Sequence, residues 1–526
     1  MDQRTIHSRR WVILGVLVVG LLAIVIDNTV LNVALKTIAE PRGGLGASQS
    51  QLEWAINSYT LVFAGLLFTF GVIGDRIGRK RMLMIGLVLF GVASLLSAYS
   101  HTPAELIAAR AAMGLGGAAV MPQTLSIISN VFEPRERPRA IGIWATAVGI
   151  GVAIGPVLGG ILLAHYWWGS VFLINVPVTA AGVLAAFILV PESKNPNPGK
   201  VDSPGVLASV VGLVLLVYGI VQGGDSGSWI RPDVLGTIAL GLVVLGLFAW
   251  YETRIDHPSL DVRLFRDRRL SASVAAITLL FFGMGGVFFF TSFYLQNVRG
   301  FSPLKAGLLS IAFALGQMVM SPRSAPLVNR HGAKAVGATG MFVTMVALSG
   351  YALLSTTSPI WVLALLFFIQ GTGAGLTMPA ATSSVMDVLP RERAGAGSAL
   401  TNTARQVAVA LSVAVLGSVI AESYRTSMAP ALAKLPAAAQ DAAGQSISAT
   451  QAVAQHLGAQ GQALLAPAST AYVNAMHIAT LAAAGIALAA ALVILRWMPG
   501  KPRNASIGDL DEEARELLTE TAGVDG

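Results

Sequence analysis

The sequence contains no cysteine, and this absence excludes two kinds of site. Without thiols the chain can form neither a disulfide framework nor a thiolate metal centre. Its seven histidines never stand at the HxxH or HExxH spacing of zinc sites, so we expect no metal. No nucleophile–base pair and no phosphate-binding loop is present in the sequence either. We therefore expect a protein that is not an enzyme and that binds no cofactor.

Charged residues are also scarce, at 12% of the chain, whereas hydrophobic residues make up 54%. A soluble domain carries charge on about a quarter of its residues. The mean hydropathy of +0.68 therefore indicates that lipid, rather than water, surrounds most of the chain. These numbers predict an all-α integral membrane protein.

Apolar stretches long enough to cross a bilayer, roughly 20 residues each, recur along the whole chain. The first one is too long for the core of a signal peptide and lacks a small-residue cleavage site, so we expect it to be retained. We predict 14 transmembrane helices, near 11–35, 52–73, 82–100, 104–128, 140–163, 171–190, 205–221, 233–251, 272–296, 304–327, 335–354, 359–386, 396–421 and 471–495.

The distribution of lysine and arginine predicts the orientation of these helices. An even number of spans puts both termini on one side, and a cytoplasmic location of the termini places most basic residues in inner segments. The basic clusters at 79–81 and 266–269 then set topology and contact anionic lipid. This arrangement accounts for the net charge of +8, and nucleic-acid binding is the poorer explanation.

Two parts of the sequence repeat each other in the same order. The run PRER at 134–137 recurs at 390–393, and the pattern GxG followed by Met-Pro at 114–122 recurs at 371–379. The nearly constant offset between the two copies predicts two six-helix bundles of equal orientation. Parallel repeats of this kind place the substrate path between the halves, near the midplane.

The same offset predicts the division of the chain. We expect a first bundle at 1–200, two inserted helices at 201–256, and a second bundle at 257–498. The second bundle carries a long outer loop at 422–470, whose alanine-rich parts are suited to short amphipathic helices. A cytoplasmic tail at 499–526 follows.

A polar cluster joins the second and third predicted spans on the inner side. Its glycines permit a tight turn, while its aspartate and arginines can pair across helices. We predict that this cluster latches the inner mouth between the two bundles; the alternative is a basic loop that only sets topology. The cluster comprises Gly71, Asp75, Arg76, Gly78, Arg79 and Lys80.

Asp27 and Arg110 are the ionisable residues that we expect deep within the first and fourth spans. Each lies about 9–13 Å of helix from its outer end at a rise of 1.5 Å per residue, so the two side chains can meet. Intramembrane charges are costly and are functional by default. We predict a proton-coupling site; the alternatives are a permanently ionised pair and a snorkelling arginine. Glu53, Glu105 and Glu422 are expected at the membrane interface.

The fifth span carries a run of glycines that share one helical face. Positions 151, 155 and 159 are spaced for close helix packing, and a proline between them can bend the helix. Ordinary small-residue packing explains the glycines but not the Gly-Pro-x-x-Gly-Gly ending. The motif consists of Gly151, Gly155, Pro156, Gly159 and Gly160.

Polar and aromatic residues within the spans are the candidates for a substrate cavity. Sparse polar groups among aromatics suit many lipophilic molecules, although each of these residues can equally serve helix packing or face lipid. Arg405 either faces the cavity or snorkels. The candidates are Asn57, Tyr59, Gln123, Phe289, Phe293, Gln370, Asn402 and Arg405.

Three of these motifs resemble signatures of the major facilitator superfamily. The segment 71–80 resembles its G-x-L-a-D-r-x-G-r-K signature, which implies control of closure at the cytoplasmic side. The region of Arg110 is similar to its l-x-x-x-R-x-x-x-G motif, which is associated with proton coupling. The segment 151–160 is similar to its antiporter motif, which implies an exporter. The second half departs from the first, with Asn329 in place of Asp75 and Phe367 in place of Arg110.

Two further stretches resemble the fourteen-helix EmrB/QacA-type drug:proton antiporters. The segment 27–35 is similar to D-x-T-x-x-N-V-A-L-P, with Lys36 in place of the final proline. The segment 168–177 is similar to W-R-W-x-F-x-x-N-x-P, with Gly169 and Ser170 in place of the arginine and second tryptophan.

The resemblance implies a proton-driven exporter of lipophilic, cationic drugs or antibiotics, in the inner membrane of a bacterium and acting as a monomer. The sequence leaves two alternatives open. One is a dedicated exporter of a single endogenous metabolite, and the other is a membrane sensor that uses loop 422–470 as its receptor surface.

Overall fold

A computed structural model of the chain describes residues 3–133, 136–194, 202–226, 228–255, 258, 262–388, 394–433 and 435–498. Over these ranges the chain is helical and contains no strand. The predicted tail at 499–526 lies outside the described residues. So does most of the PRER pair, at 134–135 and 390–393.

The helices of the first half follow the apolar runs of the sequence, and most begin at polar residues. Ser48 caps the second helix and Thr102 the fourth, each through its side-chain oxygen. The helices are α1 (Gln3–Ala39), α2 (Gln49–Ile77), α3 (Arg79–Ala98), α4 (Pro103–Val131), α5 (Arg137–His165), α6 (Ser170–Leu173) and α7 (Asn175–Leu189).

The inserted pair and the second half continue in the same manner. A single π-helical turn, Tyr294–Val298, extends the tenth helix at its outer end. The helices are α8 (Ser203–Ser226), α9 (Pro232–Glu252), α10 (Arg268–Phe293), α11 (Pro303–His331), α12 (Ala333–Tyr351), α13 (Ile360–Val388), α14 (Ala394–Leu432), α15 (Ala437–Gly444), α16 (Ile447–Leu457) and α17 (Ala459–Trp497).

The structure confirms a multi-pass, all-helical membrane protein. Within the described residues, 12 helices are long and apolar enough to span a bilayer, and the bent helix α2 raises the number to 13. The span predicted at 140–163 does not meet these criteria within the described residues. The apolar helix found there, Ile150–His165, is shorter than they require. The predicted number of 14 therefore stays a prediction.

The two halves repeat one packing scheme. In the first half α2 and α3 both pack on α4, α1 packs on α5, and α7 packs on α1 and α3. In the second half α11 and α12 both pack on α13, α14 packs on α10, and α17 packs on α10 and α12. This equivalence is what the internal sequence repeat predicts, whereas the predicted domain boundaries stay a prediction.

The inserted helices lie beside the junction of the two halves. Helix α8 packs against α9, against α2 of the first half and against α14 of the second. The Ser418 hydroxyl on α14 donates a hydrogen bond to the Ile220 carbonyl on α8, at 3.0 Å. Helix α9 turns large apolar side chains outward, as expected of a surface that faces lipid; they include Leu235, Leu240, Val243, Leu247 and Trp250.

The segment predicted as an outer loop, 422–470, is mostly helical. Helix α14 continues to Leu432 and α17 begins at Ala459, so the connection between them is shorter than the sequence indicated. Alanine is the strongest helix former, which explains why the flanking helices extend into this segment. The short helices expected in it are present as α15 and α16.

The two halves hold each other at one end of the bundle, which we call the outer side because the charge distribution predicts it to be so. There the outer end of α1 contacts that of α10, α2 contacts α14, and α5 contacts α11. The hydrogen bonds that join α1 to α10 and α2 to α14 lie at this side. The structure thus has its outer side closed.

Candidate functional site

Asp27 on α1 and Arg110 on α4 form an ion pair in the interior of the first half. Arg110 Nη1 lies 2.5 Å from Asp27 Oδ2. The two residues are 0% and 1% exposed, respectively. Because the arginine reaches this buried carboxylate, it does not extend to the membrane surface, and the snorkelling alternative does not describe it.

Neighbouring groups hold both partners of the pair in place. Arg110 Nε donates a hydrogen bond to the Ala55 carbonyl at 3.1 Å, and its guanidinium lies 4.4 Å from the ring centre of Tyr59. The Asn175 amide donates to Asp27 Oδ1 at 3.1 Å and to the Ser94 hydroxyl at 3.0 Å. Helices α1, α2, α3, α4 and α7 therefore meet at one polar cluster.

Sequence reasoning missed two members of this cluster and gave a third another role. Asn175 and Ser94 were assigned no role, and Tyr59 was placed at the substrate cavity. The Tyr59 hydroxyl accepts a hydrogen bond from the Asn28 amide at 3.1 Å, and its ring supports Arg110. The signal that points to Asn175 is its place in the W-x-F-x-x-N-x-P run at 168–177.

Helix α1 continues from this cluster to the closed outer side. Lys36 Nζ donates a hydrogen bond to the Gln296 carbonyl at 3.0 Å, and Gln296 Nε2 donates to the Val33 carbonyl at 2.9 Å. The Ser292 hydroxyl bonds the Asn32 carbonyl. Lys36, which replaces the proline of the related motif, thus ties the first half to the second.

The glycine face of the fifth span is a packing surface for α1. Added Cβ atoms at Gly151, Gly155 and Gly159 would collide with side chains of α1. An added Cβ at Gly160 would instead meet the backbone of Leu304 on α11.

The close approach is reciprocal. An added Cβ at Gly307 on α11 would meet the carbonyl of Pro156 on α5. The antiporter motif thus permits backbone contact between the halves at the outer side.

Three residues of the predicted inner latch make polar contacts within the first half. Arg79 Nε pairs with Asp75 Oδ1 at 2.8 Å, and Lys80 Nζ donates to the Phe187 carbonyl on α7 at 2.7 Å. Gly78 sits at φ +119° between α2 and α3, a conformation that side chains rarely adopt. These contacts of Asp75, Arg79 and Lys80 join residues of the first half to one another.

A small apolar cavity lies between the halves near their outer contacts. Its volume of about 70 Å³ is far below the roughly 300–1,000 Å³ of a drug-sized site. Pro156 of the antiporter motif lines it, but none of the eight predicted cavity residues does. Its lining residues are Thr29, Asn32, Val33, Val152, Pro156, Phe288, Thr291, Ser292, Leu295, Ala306, Ser310, Phe313 and Phe367.

Several predicted cavity residues make contacts with neighbouring residues in this structure. Gln123 donates to the Phe70 carbonyl at 2.8 Å, and Gln370 accepts from the Tyr351 hydroxyl at 3.1 Å. The rings of Phe289 and Phe293 contact each other at 5.5 Å and are buried. Hydropathy gives the depth of a residue in the membrane but not the direction in which its side chain points. The sequence therefore could not distinguish residues that contact neighbouring helices from residues that face a cavity.

The remaining cavity candidates lie near the interface of the halves. Asn57 on α2 is 0% exposed, and neither atom of its amide has a hydrogen-bond partner. Asn402 and Arg405 on α14 are partly exposed, and the Arg405 guanidinium lies 5.4 Å from the ring centre of Phe281.

Glu53 lies near the outer end of α2, as expected of an interfacial residue, but it is buried by the second half. It is 2% exposed, where α2 meets α14, and accepts a hydrogen bond from Gln49 at 3.3 Å. An added Cβ at Gly417 would meet its carboxylate. Burial of this outer helix end by the second half explains the difference, since a single span shows no such partner.

A model of the Major Facilitator Superfamily matches residues 17–413. The chain belongs to this superfamily. Membership points to a transporter of small molecules rather than an enzyme.

Relatives of similar length are named as exporters or resistance proteins. The multidrug efflux pump LfrA of Mycolicibacterium smegmatis is 34% identical over 93% of this chain and 96% of its own. The methyl viologen resistance protein SmvA of Salmonella typhimurium is 34% identical over 91% and 96%. The tetracenomycin C resistance and export protein of Streptomyces glaucescens is 29% identical over 99% and 96%.

Solved structures share the fold at low sequence identity. A bacterial homologue of the lysosomal transporter Spinster, inward-facing and unoccupied, has a TM-score of 0.66 at 18% identity, covering 93% of this chain and 98% of that one. A peptide transporter in complex with sulfate has a TM-score of 0.61 at 15% identity, covering 95% and 99%.

Proposed function

We propose that the protein exports small lipophilic molecules from the cytoplasm or inner leaflet in exchange for protons, by alternating access between its halves. The names of the relatives support drug or antibiotic export, since the matches to LfrA and SmvA cover more than nine-tenths of both chains. Proton coupling rests on this chain's own residues.

The observation that carries proton coupling is the enclosed pair of Asp27 and Arg110. A buried ion pair is stable only while both partners keep their charges, because loss of one leaves the other uncompensated. Protonation of Asp27 would therefore loosen its hold on Arg110. The alternative to a proton-coupling site is a permanently ionised structural pair, in which Asp27 never gains a proton.

Helix α1 offers a route from the proton site to the outer closure. Asp27 precedes Asn32, Val33 and Lys36 on this helix, and these three contact α10 of the second half. A small displacement of α1 at Asp27 would shift contacts about 8–14 Å further along a rigid helix. The protonation state of Asp27 would thereby act on the bonds that keep the outer side shut.

The cycle follows from these contacts. Proton binding at Asp27 from outside weakens its pairing with Arg110 and favours release of the substrate there. Proton loss to the cytoplasm restores the pair. This site carries at most one proton per cycle.

The segment 71–80 is proposed to close the inner side in the opposite state. Asp75 lies near the inner end of α2 and pairs with Arg79 at the start of α3 while the outer side is closed. When the inner ends approach, Asp75 and its neighbours become available to the second half.

A dedicated exporter of one antibiotic is the second candidate. A relative named for tetracenomycin C resistance and export matches nearly the whole chain, which supports this second candidate. The sequence prediction of cationic substrates stays a prediction, as does that of a monomer with cytoplasmic termini in a bacterial inner membrane.

Transport into vesicles tests the proposal. Purified protein is reconstituted into liposomes with an imposed pH gradient and offered ethidium, tetraphenylphosphonium, puromycin and an uncharged dye. Transport that requires the gradient supports proton-driven export, and the number of accepted compounds separates a multidrug pump from a dedicated exporter. Transport that is equal with and without the gradient would contradict proton coupling.

A further inference from the structure

A polar cavity lies at the outer side of the protein, between the end of α1 and helix α16. Its volume of about 250 Å³ exceeds the 70 Å³ of the apolar cavity between the halves. The function proposed above makes no use of it. Its polar lining includes Lys36, Glu40, Arg42, Ser448, Gln451 and His456.

Each half of the protein supplies one wall of this cavity. The first half contributes the end of α1 and the residues that follow it, and the second half contributes Asn297 and one face of α16. Lys36 Nζ joins the two walls, because it donates a hydrogen bond to the Gln296 carbonyl at 3.0 Å. Opening of the outer side would separate these walls, so the complete cavity belongs to the closed state.

The wall of the second half is held by hydrogen bonds from two sides. Asn297 Nδ2 donates to the Ser448 hydroxyl at 2.8 Å, and Gln451 Nε2 donates to the Asn297 carbonyl at 3.1 Å. The hydroxyls of Tyr424 and Thr450 share a hydrogen bond of 2.6 Å, which ties α16 to α14. Helix α16 is thus fixed against the π-helical turn of α10.

The wall of the first half includes a tight turn after α1. The Gly46 amide donates a hydrogen bond to the Glu40 carbonyl at 3.2 Å. Gly43 takes a φ of +86°, a conformation that favours glycine. The backbone that carries Glu40 and Arg42 is therefore held in one arrangement beside α16.

The lining carries more positive than negative charge. Of the described residues that line the cavity, Lys36 and Arg42 are cationic, and Glu40 alone carries a carboxylate. With His456 neutral, these two cations and one carboxylate leave a net charge of +1. Within the described part of the chain, neither Arg42 nor Glu40 forms an ion pair. An anion in the cavity would therefore be attracted by a guanidinium that has no carboxylate partner.

The remaining polar lining suits hydroxyl groups of a ligand. Ser448, Gln451 and Gln455 offer hydroxyl and amide groups, each able to donate and to accept a hydrogen bond. The volume lies below the roughly 300–1,000 Å³ of a drug-sized site. Arg42, Gln455 and His456 are exposed, so the cavity is open to the outer medium. It thus fits a molecule smaller than a drug, with one anionic group and several hydroxyls.

We propose that this cavity binds a small polyhydroxylated anion, a sugar acid or a sugar phosphate, from the outer medium, and that the bound anion keeps the outer side closed. A ligand stabilises the state in which its site is complete. Occupancy would therefore slow the release of substrate to the outside. The inference rests on the proposed function in one respect, that the outer side opens to release substrate.

Three sugars of similar shape and different charge test the binding site. Binding of glucuronate, glucose and 6-amino-6-deoxyglucose is measured with full-length protein in nanodiscs, without any pH gradient. We expect glucuronate to bind at least about tenfold more tightly than the amino sugar, as one charge-assisted hydrogen bond allows. Glucose 6-phosphate, measured beside them, separates the two anion classes, and tighter binding of either anion than of glucose supports the proposal.

Variants of Arg42 separate its charge from any contribution to folding, since this side chain is exposed. Arg42→Gln should lose the preference for glucuronate and bind glucose within about twofold of the unmodified protein. Arg42→Lys should keep the preference at reduced affinity, because a lysine retains the charge but not the planar fork. Arg231→Gln, at an exposed arginine before α9, is the matched control and should bind all the sugars as the unmodified protein does.

The link to closure is tested with a variant at the contact of α5 with α11. Gly307→Val places a side chain against the Pro156 carbonyl and should hold the two halves apart. It should bind glucuronate at least about fivefold more weakly, since fewer molecules have the complete cavity. Gly236→Val, where an added Cβ has no neighbour within 4 Å, is the control and should bind glucuronate normally.

Three results would overturn the proposal. The first is equal binding of glucuronate and the amino sugar in the unmodified protein, and the second is an unchanged preference in Arg42→Gln. The third is glucuronate binding as tight in Gly307→Val as in Gly236→Val, which would separate the cavity from the outer closure. Failure of gradient-driven transport with Arg42-dependent binding intact would instead contradict the proposed proton coupling alone.

Discussion

The side-chain amide of Asn175 donates a hydrogen bond to Asp27 Oδ1, the carboxylate oxygen that Arg110 leaves free. The buried carboxylate is thus held on both oxygens by donors from different helices. A buried charge is tolerated only when its remaining lone pairs are satisfied. Asn175 therefore belongs to the same functional unit as the ion pair.

Replacement of Asn175 tests this relationship. Asn175→Ala should lower gradient-driven efflux about tenfold, because one hydrogen bond to a charged group contributes roughly 1.5–3 kcal/mol. Ser94→Ala removes the hydroxyl that also accepts a hydrogen bond from the Asn175 amide. It should lower efflux less than Asn175→Ala does. Initial rates of dye efflux from vesicles measure both. Equal rates in Asn175→Ala and the unmodified protein would exclude a role in the cycle.

The ion pair itself predicts a non-additive effect on stability. Arg110→Gln leaves Asp27 buried without its partner and should cost about 3–5 kcal/mol of folding free energy. The double variant Asp27→Asn/Arg110→Gln removes both charges and should recover most of that loss without recovering transport. The measurement is the thermal unfolding midpoint of the unmodified protein, of the single variants Asp27→Asn and Arg110→Gln, and of the double variant. A double variant as unstable as Arg110→Gln would contradict the account.

The close contact of Gly307 with Pro156 predicts a variant that keeps the outer side open. Gly307→Val should prevent the backbones from meeting. Since the chain has no cysteine, Ser292→Cys can report the state of the closure by its labelling with an impermeant maleimide from outside. We expect labelling to rise in Gly307→Val.

The control for this experiment is Gly236→Val on α9, where an added Cβ has no neighbour within 4 Å. It should label as slowly as the Ser292→Cys protein alone. Equal labelling of the two valine variants would show that α5 and α11 do not form the outer closure.

The latch at 71–80 predicts a loss of transport without a loss of stability. The Asp75–Arg79 pair is partly exposed, and such pairs contribute about 0–1 kcal/mol. Asp75→Asn should therefore leave the unfolding midpoint nearly unchanged while slowing efflux. Asp233→Asn, which breaks an exposed pair on α9, is the matched control. Normal efflux in Asp75→Asn would show that the segment 71–80 does not act as a latch and only sets the membrane topology.

The sequence predicted the fold class and the meeting of Asp27 with Arg110 because both depend on depth in the membrane. Depth follows from counting residues along a helix. The face to which a residue points depends on neighbouring helices, which a single span does not reveal. For this reason the sequence did not predict the contact of Tyr59 with Arg110, the burial of Glu53 or the hydrogen bond from Asn175.

The sequence also did not predict the contacts between the two halves. Lys36 was visible only as a departure from a motif, whereas the structure shows it bound to the Gln296 carbonyl. The helical extent of 422–470 was underestimated because polar composition was taken as a loop, although alanine favours helix.

The central claim is that Asp27 carries the proton, and substrate-driven proton movement tests it most directly. Vesicles containing an entrapped pH-sensitive dye and the reconstituted protein are offered a transported drug without an initial pH gradient. The account predicts proton flow opposite to the drug for the unmodified protein and Asp233→Asn, and none for a folded Asp27→Asn. Undiminished proton flow in Asp27→Asn would contradict it.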